Sequence, residues 1–220
     1  MKKNVGRKKV GVSSEVYSFT KDEIEKMIRA FDEQIRIVEE SEKDRFYEIK
    51  RERVHKNKLL FIIGINVGIK LNDIRMLQWS FFFDEDKNFK DFYVIYPKNM
   101  SEKNKCIKLY FNQEVKDAVS SHIEKFPIND INEYIFTGAQ FMTRLDTPIT
   151  VQTIWNMLKA TAIEADIDKN IGTHSLRKTW GYQIWENANN KLNALLLLQK
   201  CYNHPTLQAT KKYLGIDSII

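Results

Sequence analysis

Apolar residues recur at helical spacing from the first ordered part of the chain onward. Thr20 and Glu23 have the spacing of a capping box, in which each side chain satisfies a backbone N–H at a helix start. Four apolar residues follow on one predicted helix face: Ile24, Met27, Ile28 and Phe31. Order is therefore expected to begin at Thr20. Residues 1–19 are expected to form a basic flexible arm or an ordinary solvated terminus.

A change from charged to apolar positions marks the next two predicted helices. The charged stretch over residues 39–58 indicates an exposed helix around a loop. The apolar run over residues 58–67 predicts a second helix that stops at Gly68. A short third helix, capped by Asn72, is predicted to carry the apolar side chains of Ile74, Leu77 and Trp79.

The pattern then changes from helical to extended. Residues 92–96 and 106–110 are β-rich runs joined by a polar turn, which predicts a hairpin. Helices are predicted again over 113–124, after Thr150, from Thr173 or His174, and over 192–198. The helix after Thr150 has a predicted apolar face of Val151, Ile154, Leu158, Ala162 and Ile163. A last helix is predicted to follow Pro205, which a first helical turn tolerates, and to end at Gly215. The fold class is therefore α+β, mainly helical, with a small antiparallel β-sheet.

Composition narrows the class of partner only slightly. The chain has 220 residues, 43% hydrophobic and 29% charged, which is enough for one domain with a buried core. No apolar run reaches the roughly 20 residues that span a bilayer. Two cysteines without ligand or redox spacing favour a reduced, cytoplasmic setting. The net charge of +6 favours polyanionic partners, although many basic proteins bind no nucleic acid.

Residues 174–179, His-Ser-Leu-Arg-Lys-Thr, carry the first candidate chemistry. His174 and Arg177 are three residues apart, so on a helix they share a face and can meet one anion. The guanidinium suits a phosphate, and a histidine exchanges protons near neutral pH. Taken alone, such a segment is more often a surface histidine and a salt-bridged arginine.

Residues 203–213 carry the second candidate. His204 and Tyr213 are nine residues apart, with a predicted helix between them. Tyr213 stands beside Lys211 and Lys212, so it could be a nucleophile in a positive field. The alternative is a tyrosine that packs its ring on the core and leaves its hydroxyl in water.

Together the two segments resemble the second and third signature boxes of the tyrosine recombinases, the phage integrase family. Residues 68–79 are similar to the first box, whose usual form is Gly-Leu-Arg, two residues, an acid and an apolar helix. Lys98 stands near the start of the predicted hairpin turn, where the family keeps a mobile lysine. Residues 136–148 look like the family's strand and loop before the helix at Thr150.

The resemblance implies a tyrosine recombinase catalytic domain over residues 20–213. Its function would be that of a site-specific recombinase or integrase, which cleaves and rejoins double-stranded DNA through a 3′-phosphotyrosyl intermediate. The implied catalytic residues are Tyr213, Arg177, His204, His174, Lys98 and Lys70. The implied DNA contacts are Lys178, Lys211, Lys212 and Arg75, with Lys178 also expected to contribute structure or a backbone contact.

In the implied reaction Tyr213 attacks the scissile phosphodiester. Three residues hold the non-bridging oxygens: Arg177, His204 and Lys70. Lys98 protonates the leaving 5′ oxygen, and His174 assists the tyrosine proton. Asp73 steadies the first-box residue. The resemblance implies a reaction without metal. Because the phosphotyrosine conserves the bond energy, no nucleotide cofactor is expected either.

One position departs from the family pattern. Lys70 stands where the first box has its arginine, so a point charge replaces a planar fork of donors. Arg75 lies on a different face of the predicted helix and is not expected to substitute. The rival function is therefore a catalytically impaired, recombinase-fold DNA-binding regulator. A type IB topoisomerase is a further alternative, which the short chain disfavours.

The ends of the chain carry further expectations. Family members usually have an N-terminal helical domain that clamps DNA, and residues 1–19 are too few for it. The chain is expected to be a catalytic fragment or a minimal form. The tail over residues 214–220 ends in Ile219 and Ile220, which either dock on a neighbouring subunit or pack on their own core. Self-assembly on DNA as a dimer or tetramer is expected.

Overall fold

The computed structural model describes residues 16–96, 106–140 and 143–216. Its helices are α1 (Lys21–Glu39), α2 (Tyr47–Val67), α3 (Leu71–Ile74), α4 (Gln113–Lys125), α5 (Val151–Glu164), α6 (Ser175–Asn187), α7 (Lys191–Tyr202) and α8 (Leu207–Leu214). Its strands are β1 (Phe92–Ile95), β2 (Ile107–Tyr110), β3 (Thr137–Gln140) and β4 (Thr143–Pro148). The mainly helical α+β class is confirmed.

Helix α1 begins with the predicted capping box. The Thr20 hydroxyl accepts from the Glu23 N–H at 3.3 Å, and the Glu23 carboxylate accepts from the Thr20 N–H at 2.7 Å. Lys169 also donates to this carboxylate at 2.6 Å, which ties the helix start to the segment before α6. The buried face of α1 consists of Met27, Phe31 and Ile35.

Helix α2 is one continuous helix, so the predicted helix start at Lys58 is wrong. Its charged first half is stabilised by pairs at helical spacing, such as Glu52 with Lys56 at 2.8 Å. Its apolar second half is buried on nearly all sides, because α1, α4 and α6 pack around it. It ends at Gly68, whose φ of 69° is left-handed, as the sequence predicts.

The short helix α3 begins earlier than predicted. The Lys70 carbonyl accepts from the N–H groups of Asp73 and Ile74, so Lys70 is the N-cap and Asn72 lies inside the helix. The helix is also shorter than predicted, because Leu77 follows it and Trp79 begins a separate 3-10 turn. The cap that the sequence assigned to Asn72 is therefore wrong.

The described residues form two antiparallel hairpins, of which the sequence predicted one. Strands β1 and β2 pair with Phe92 opposite Tyr110, which confirms the predicted hairpin. Strands β3 and β4 form a second, separate sheet with Thr137 opposite Pro148 and an irregularity after Thr137. Only a strand and a loop were predicted there, because Gly138 and the polar residues around it lack the alternation of a typical strand.

The later helices confirm the remaining predictions apart from the positions of Pro205 and Ile163. Helix α5 starts at the Thr150 cap, and α8 ends at Gly215, whose φ is 74°. Pro205 lies just before the Thr206 cap, outside the first turn of α8. Ile163 was assigned to the apolar face of α5, yet it is 72% exposed, because it is the immediate neighbour of buried Ala162 and points about 100° away.

Helix α6 joins the two parts of the core. Leu176 belongs to the larger cluster, which surrounds the apolar half of α2. Trp180 and Trp185 belong to the smaller cluster, which α7 and α8 complete. In the described residues, no helix has both the length and the apolar character needed to cross a membrane.

Two glycines of α2 allow α6 to approach closely. A Cβ atom at Gly64 would lie 2.5 Å from Leu176 Cδ1, and one at Gly68 would lie 2.1 Å from Trp180 Cδ2. Real Cβ atoms do not approach other atoms so closely, so a side chain at either position would require Leu176 or Trp180 to shift.

We expect Gly68→Ala to lower the free energy of unfolding by about 2–5 kcal/mol, from left-handed strain plus the clash with Trp180. Gly215→Ala is the matched control, since Gly215 has a φ of 74° but open space around it. It should cost only about 1–2 kcal/mol. Urea unfolding measures both values, and equal losses would contradict a role for the close helix contact.

His122 is a buried histidine with an unusual environment. It is 4% exposed, its ring contacts those of Trp79 and Phe126, and its Nε2 has no hydrogen-bond partner among the described residues. Burial, followed by the charges of Lys56, His55 and Lys125, lowers the pKa of His122 to about 3. The ring is therefore neutral in the folded protein at neutral pH.

This depressed pKa predicts a loss of stability in acid. An unfolded histidine takes up a proton near pH 6.5, whereas His122 resists protonation until about pH 3. The contribution of His122 to the free energy of unfolding is fully present above pH 6.5. It declines as the pH falls towards 3, by up to about 1.4 kcal/mol per pH unit. We expect His122→Phe to flatten this slope in urea unfolding measured from pH 7 to pH 4. An unchanged slope would show that other groups cause the loss.

Candidate active site

Four predicted site residues meet where the start of α6 faces α8. His174 is the N-cap of α6, and Arg177 lies in the first turn of that helix. His204 follows α7, and Tyr213 lies in the last turn of α8. Asn203, in the left-handed region with φ 60° and ψ 42°, ends α7 and turns the chain so that α8 packs beside α7 and α6.

The Tyr213 hydroxyl is directed at a candidate base. Its oxygen lies 3.5 Å from His174 Nδ1, at the long limit of a hydrogen bond. The Tyr213 ring packs edge-on against His204 at 5.1 Å and Tyr202 at 4.9 Å between ring centroids. Burial raises the pKa of Tyr213 to about 12, against the opposing charge of Arg177. From the sequence, a ring packed on the core and a hydroxyl available for reaction were alternatives for Tyr213. In the structure the ring is packed and the hydroxyl also faces His174.

Arg177 is a nearly buried cation held by neutral groups. It is 9% exposed, its Nη2 donates to the Cys201 carbonyl at 2.9 Å, and its guanidinium lies 4.9 Å from the centroid of the Tyr202 ring. Within the described ranges, no carboxylate pairs with it. A buried cation without a counter-charge favours the arrival of an anion, which relieves part of its desolvation cost.

The two histidines of the site are held neutral near pH 7. Burial, followed by the positive charge of Arg177, lowers the pKa of both His174 and His204 below the usual value of 6.5. His204 Nδ1 lies 3.1 Å from the hydroxyl of buried Thr210, which fixes the plane of the ring. The other ring nitrogen, Nε2, is then the one that can meet a ligand.

Two lysines add positive charge around His174. Lys70 is exposed on extended backbone before α3, and its charge contributes, after burial, Arg177 and Lys178, to lowering the pKa of His174. Lys178 is 8% exposed, with its ammonium 5.2 Å from the centroid of the Tyr213 ring. The structure thus brings Lys70 and Lys178 to the same site.

The remaining predicted residues lie around this centre or outside the described residues. Arg75 donates to Asn72 Oδ1 at 2.8 Å and to the Ile149 carbonyl at 3.4 Å, so it joins α3 to the start of α5. Lys211 is half-buried and Lys212 exposed in the last turn of α8. Their DNA contacts stay predictions. Exposed residues also include Asp73, whereas Lys98, Ile219 and Ile220 lie outside the described residues.

Sequence reasoning missed three contributors to the site. Tyr202 carries the Arg177 guanidinium on its ring, the Cys201 carbonyl accepts from Arg177, and Thr210 holds His204. Tyr202 and Cys201 come just before the Asn203-His204 turn, and Thr210 lies between the two members of the second candidate. Only this proximity in sequence could have pointed to them.

Comparison with known proteins supports the same assignment. The sequence model described as the phage integrase family matches residues 18–218. The chain belongs to this family. The resemblance inferred from the signature boxes is therefore confirmed for nearly the whole length of the chain.

Individual family members show how far the likeness extends. The probable integrase/recombinase YoeC of Bacillus subtilis (strain 168) is 29% identical over 178 residues, which cover 79% of this chain and 87% of YoeC. The tyrosine recombinase XerD of Staphylococcus saprophyticus is 30% identical over 81 residues, 37% of this chain and 26% of XerD. The chain thus spans most of YoeC but only a part of XerD.

Solved structures show the shared fold. XerH bound to its palindromic difH substrate after cleavage matches with a TM-score of 0.57 and 18% identity, over 92% of this chain and 50% of XerH. XerA recombinase matches with a TM-score of 0.55 and 19% identity, over 92% of this chain and 61% of XerA. The recombinase catalytic-domain fold is confirmed, and the chain spans about half to three fifths of those proteins.

The proximity of Lys70 to His174 can be tested by titration. We expect Lys70→Gln to raise the pKa of His174, because removal of a nearby positive charge favours the protonated ring. Lys191→Gln is the control, since Lys191 lies at the start of α7 and donates to the carbonyls of Trp185 and Glu186. Two-dimensional NMR of the histidine rings measures both variants. An unchanged His174 pKa in Lys70→Gln would place Lys70 outside the site.

Proposed function

We propose that this chain is a site-specific DNA recombinase whose nucleophile is Tyr213. The observation that carries the proposal is the 3.5 Å separation of the Tyr213 hydroxyl from His174 Nδ1, beside the unpaired charge of Arg177. A nucleophile, a candidate base and a phosphate-binding cation within one small volume are the parts that phosphoryl transfer requires. Membership of the phage integrase family supports the same reading.

The proposed reaction exchanges one phosphodiester for another. The Tyr213 oxygen bonds to phosphorus while the bond from phosphorus to the 5′ oxygen breaks. Because the pKa of Tyr213 is about 12, its proton must leave during the attack, and neutral His174 can accept it. Lys98 donates a proton to the 5′ oxygen. The 3′-phosphotyrosyl link is reversed when another 5′ hydroxyl attacks.

The charges around Tyr213 suit the non-bridging phosphate oxygens. Arg177 has one donor committed to the Cys201 carbonyl and others left for the phosphate. His204 offers Nε2, and Lys70 offers a third positive or polar group. We expect the exposed Lys212 and its neighbour Lys211 to contact the DNA backbone next to the nucleophile, with self-assembly as a dimer or tetramer on double-stranded DNA.

The rival function is a DNA-binding regulator that has kept the recombinase fold. One observation favours it, namely Lys70 in place of an arginine, since a lysine cannot contact two phosphate oxygens with parallel donors. The geometry of Tyr213, His174 and Arg177 disfavours it, because DNA binding alone does not require a tyrosine hydroxyl directed at a histidine.

A nicked DNA substrate that carries the recombination site tests the proposal. The nick releases the 5′ end after cleavage, so a covalent protein–DNA adduct accumulates. We expect wild type to form the adduct and Tyr213→Phe to form none, because the bond to phosphorus needs the phenolic oxygen. Tyr182→Phe removes a tyrosine hydroxyl from α6 outside the site and should preserve the adduct. Denaturing electrophoresis measures all three.

The same assay tests Lys70. We expect Lys70→Arg to raise the rate of adduct formation by about tenfold or more, because a second fork of donors stabilises the transition state. An adduct only in Lys70→Arg would identify a decayed recombinase. DNA binding without an adduct in either protein would favour the regulator.

A further inference from the structure

Tyr202 is in contact with three of the candidate catalytic side chains at once. Its ring lies 4.9 Å from the Arg177 guanidinium, 5.2 Å from the His204 ring centroid and 4.9 Å from the Tyr213 ring centroid. Its third aromatic neighbour in the described residues is Trp180, at 5.8 Å. One buried ring thus forms the floor on which the candidate nucleophile and the candidate phosphate-binding groups rest.

The hydroxyl of Tyr202 is fixed as firmly as its ring. It donates to the Arg177 carbonyl at 2.9 Å and lies close to Gly181. Arg177 and Gly181 are four residues apart, so the hydroxyl lies beside one turn of α6. A Cβ atom at Gly181 would lie 1.8 Å from this oxygen. The absence of a side chain at Gly181 is what allows Tyr202 to reach α6.

We propose that Tyr202 is a positioning residue, which holds the Arg177 guanidinium and the Tyr213 ring in one geometry. This inference rests on the proposed recombinase function and adds a residue to it. Tyr202 contacts Arg177 in two places. Its hydroxyl donates to the Arg177 backbone carbonyl, and its ring packs against the Arg177 guanidinium. The adjacent Cys201 carbonyl holds Nη2 of the same guanidinium.

A positioning role predicts that loss of the Tyr202 ring affects the chemical step more than DNA binding. The Tyr202 ring lies beneath the other groups and is 8% exposed, so it adds little contact with DNA. Loss of the ring leaves the charges of the site in place but frees Arg177 and Tyr213 to move relative to each other. A misplacement of about 1 Å between reacting groups can cost about 100-fold in rate. The rate of adduct formation is therefore expected to fall while DNA affinity is retained.

The experiment compares three replacements in the full chain. In single-turnover cleavage of the nicked DNA, Tyr202→Leu is expected to slow adduct formation about 100-fold. Tyr202→Phe keeps the ring and loses only the hydroxyl, so it should recover most of this loss and remain about tenfold slower than wild type. The dissociation constant for the uncleaved duplex should change by less than about twofold in each, because ground-state binding does not use Tyr202.

Tyr47 provides the matched control. It is also buried, and its hydroxyl also donates to a backbone carbonyl, that of Glu39 at 3.5 Å. It lies at the opposite end of α2 from the contact with Trp180. Tyr47→Leu and Tyr47→Phe should leave the rate of adduct formation unchanged. Equal effects of the Tyr202 and Tyr47 replacements would overturn the proposal, because they would indicate a general loss of stability.

A second measurement keeps this inference separate from the recombinase proposal. NMR of ¹⁵N-labelled arginine side chains, assigned with Arg177→Lys, reports whether the Arg177 guanidinium is immobilised without DNA. We expect slowly exchanging Nη signals in wild type and Tyr202→Phe, and broadened signals in Tyr202→Leu. If wild type forms no adduct, the recombinase proposal fails and these signals alone decide the role of Tyr202. Unbroadened signals in Tyr202→Leu would overturn it. If Tyr202→Leu does not fold, Tyr202→Met, which also removes the ring, is measured in its place with the same expected result.

Discussion

The close crossing of α6 over α2 is the contact on which the site depends. Leu176 and Trp180 fill the space left by Gly64 and Gly68, so the two helix backbones approach more closely than larger side chains would allow. Arg177 follows Leu176 directly, and its depth in the protein is set by this contact. Because α7 and α8 also pack against α6, any widening of the crossing would also displace the elements that carry the candidate nucleophile.

The positive charge of Arg177 is buried among neutral groups and aromatic rings, with no carboxylate paired to it in the described residues. Arg177 lies over Tyr202, and Lys178 lies over Tyr213. Cation–ring contacts offset only a part of the cost of removing a cation from water. The rest is relieved when an anion arrives. The free protein is therefore poised for a phosphate, while the raised pKa of Tyr213 keeps its hydroxyl protonated until then.

Sequence reasoning succeeded where spacing along one element decides geometry. The His174–Arg177 interval and the capped helix before Tyr213 are local features, and the structure brings these residues together. It failed where packing between distant segments determines the local structure. The β3–β4 hairpin has no strand-like alternation, and α2 stays helical across its change from charged to apolar because other helices surround it. The role of Tyr202 could not be predicted either, although it lies near His204 in sequence, because that role depends on the space at Gly181 in a different helix.

In the proposed reaction, Lys70 in place of the family's arginine would affect one stage more than the others. Lys70 stands on extended backbone, and its charge is felt at His174, so the electrostatic attraction for DNA is preserved. A lysine lacks the fork of donors that aligns two oxygens, and one donor of Arg177 is already committed to the Cys201 carbonyl. The site therefore keeps its positive charge but has fewer oriented donors for the transition state. A recombinase and a regulator built on this chain would bind DNA alike, and only the rate of the chemical step separates them.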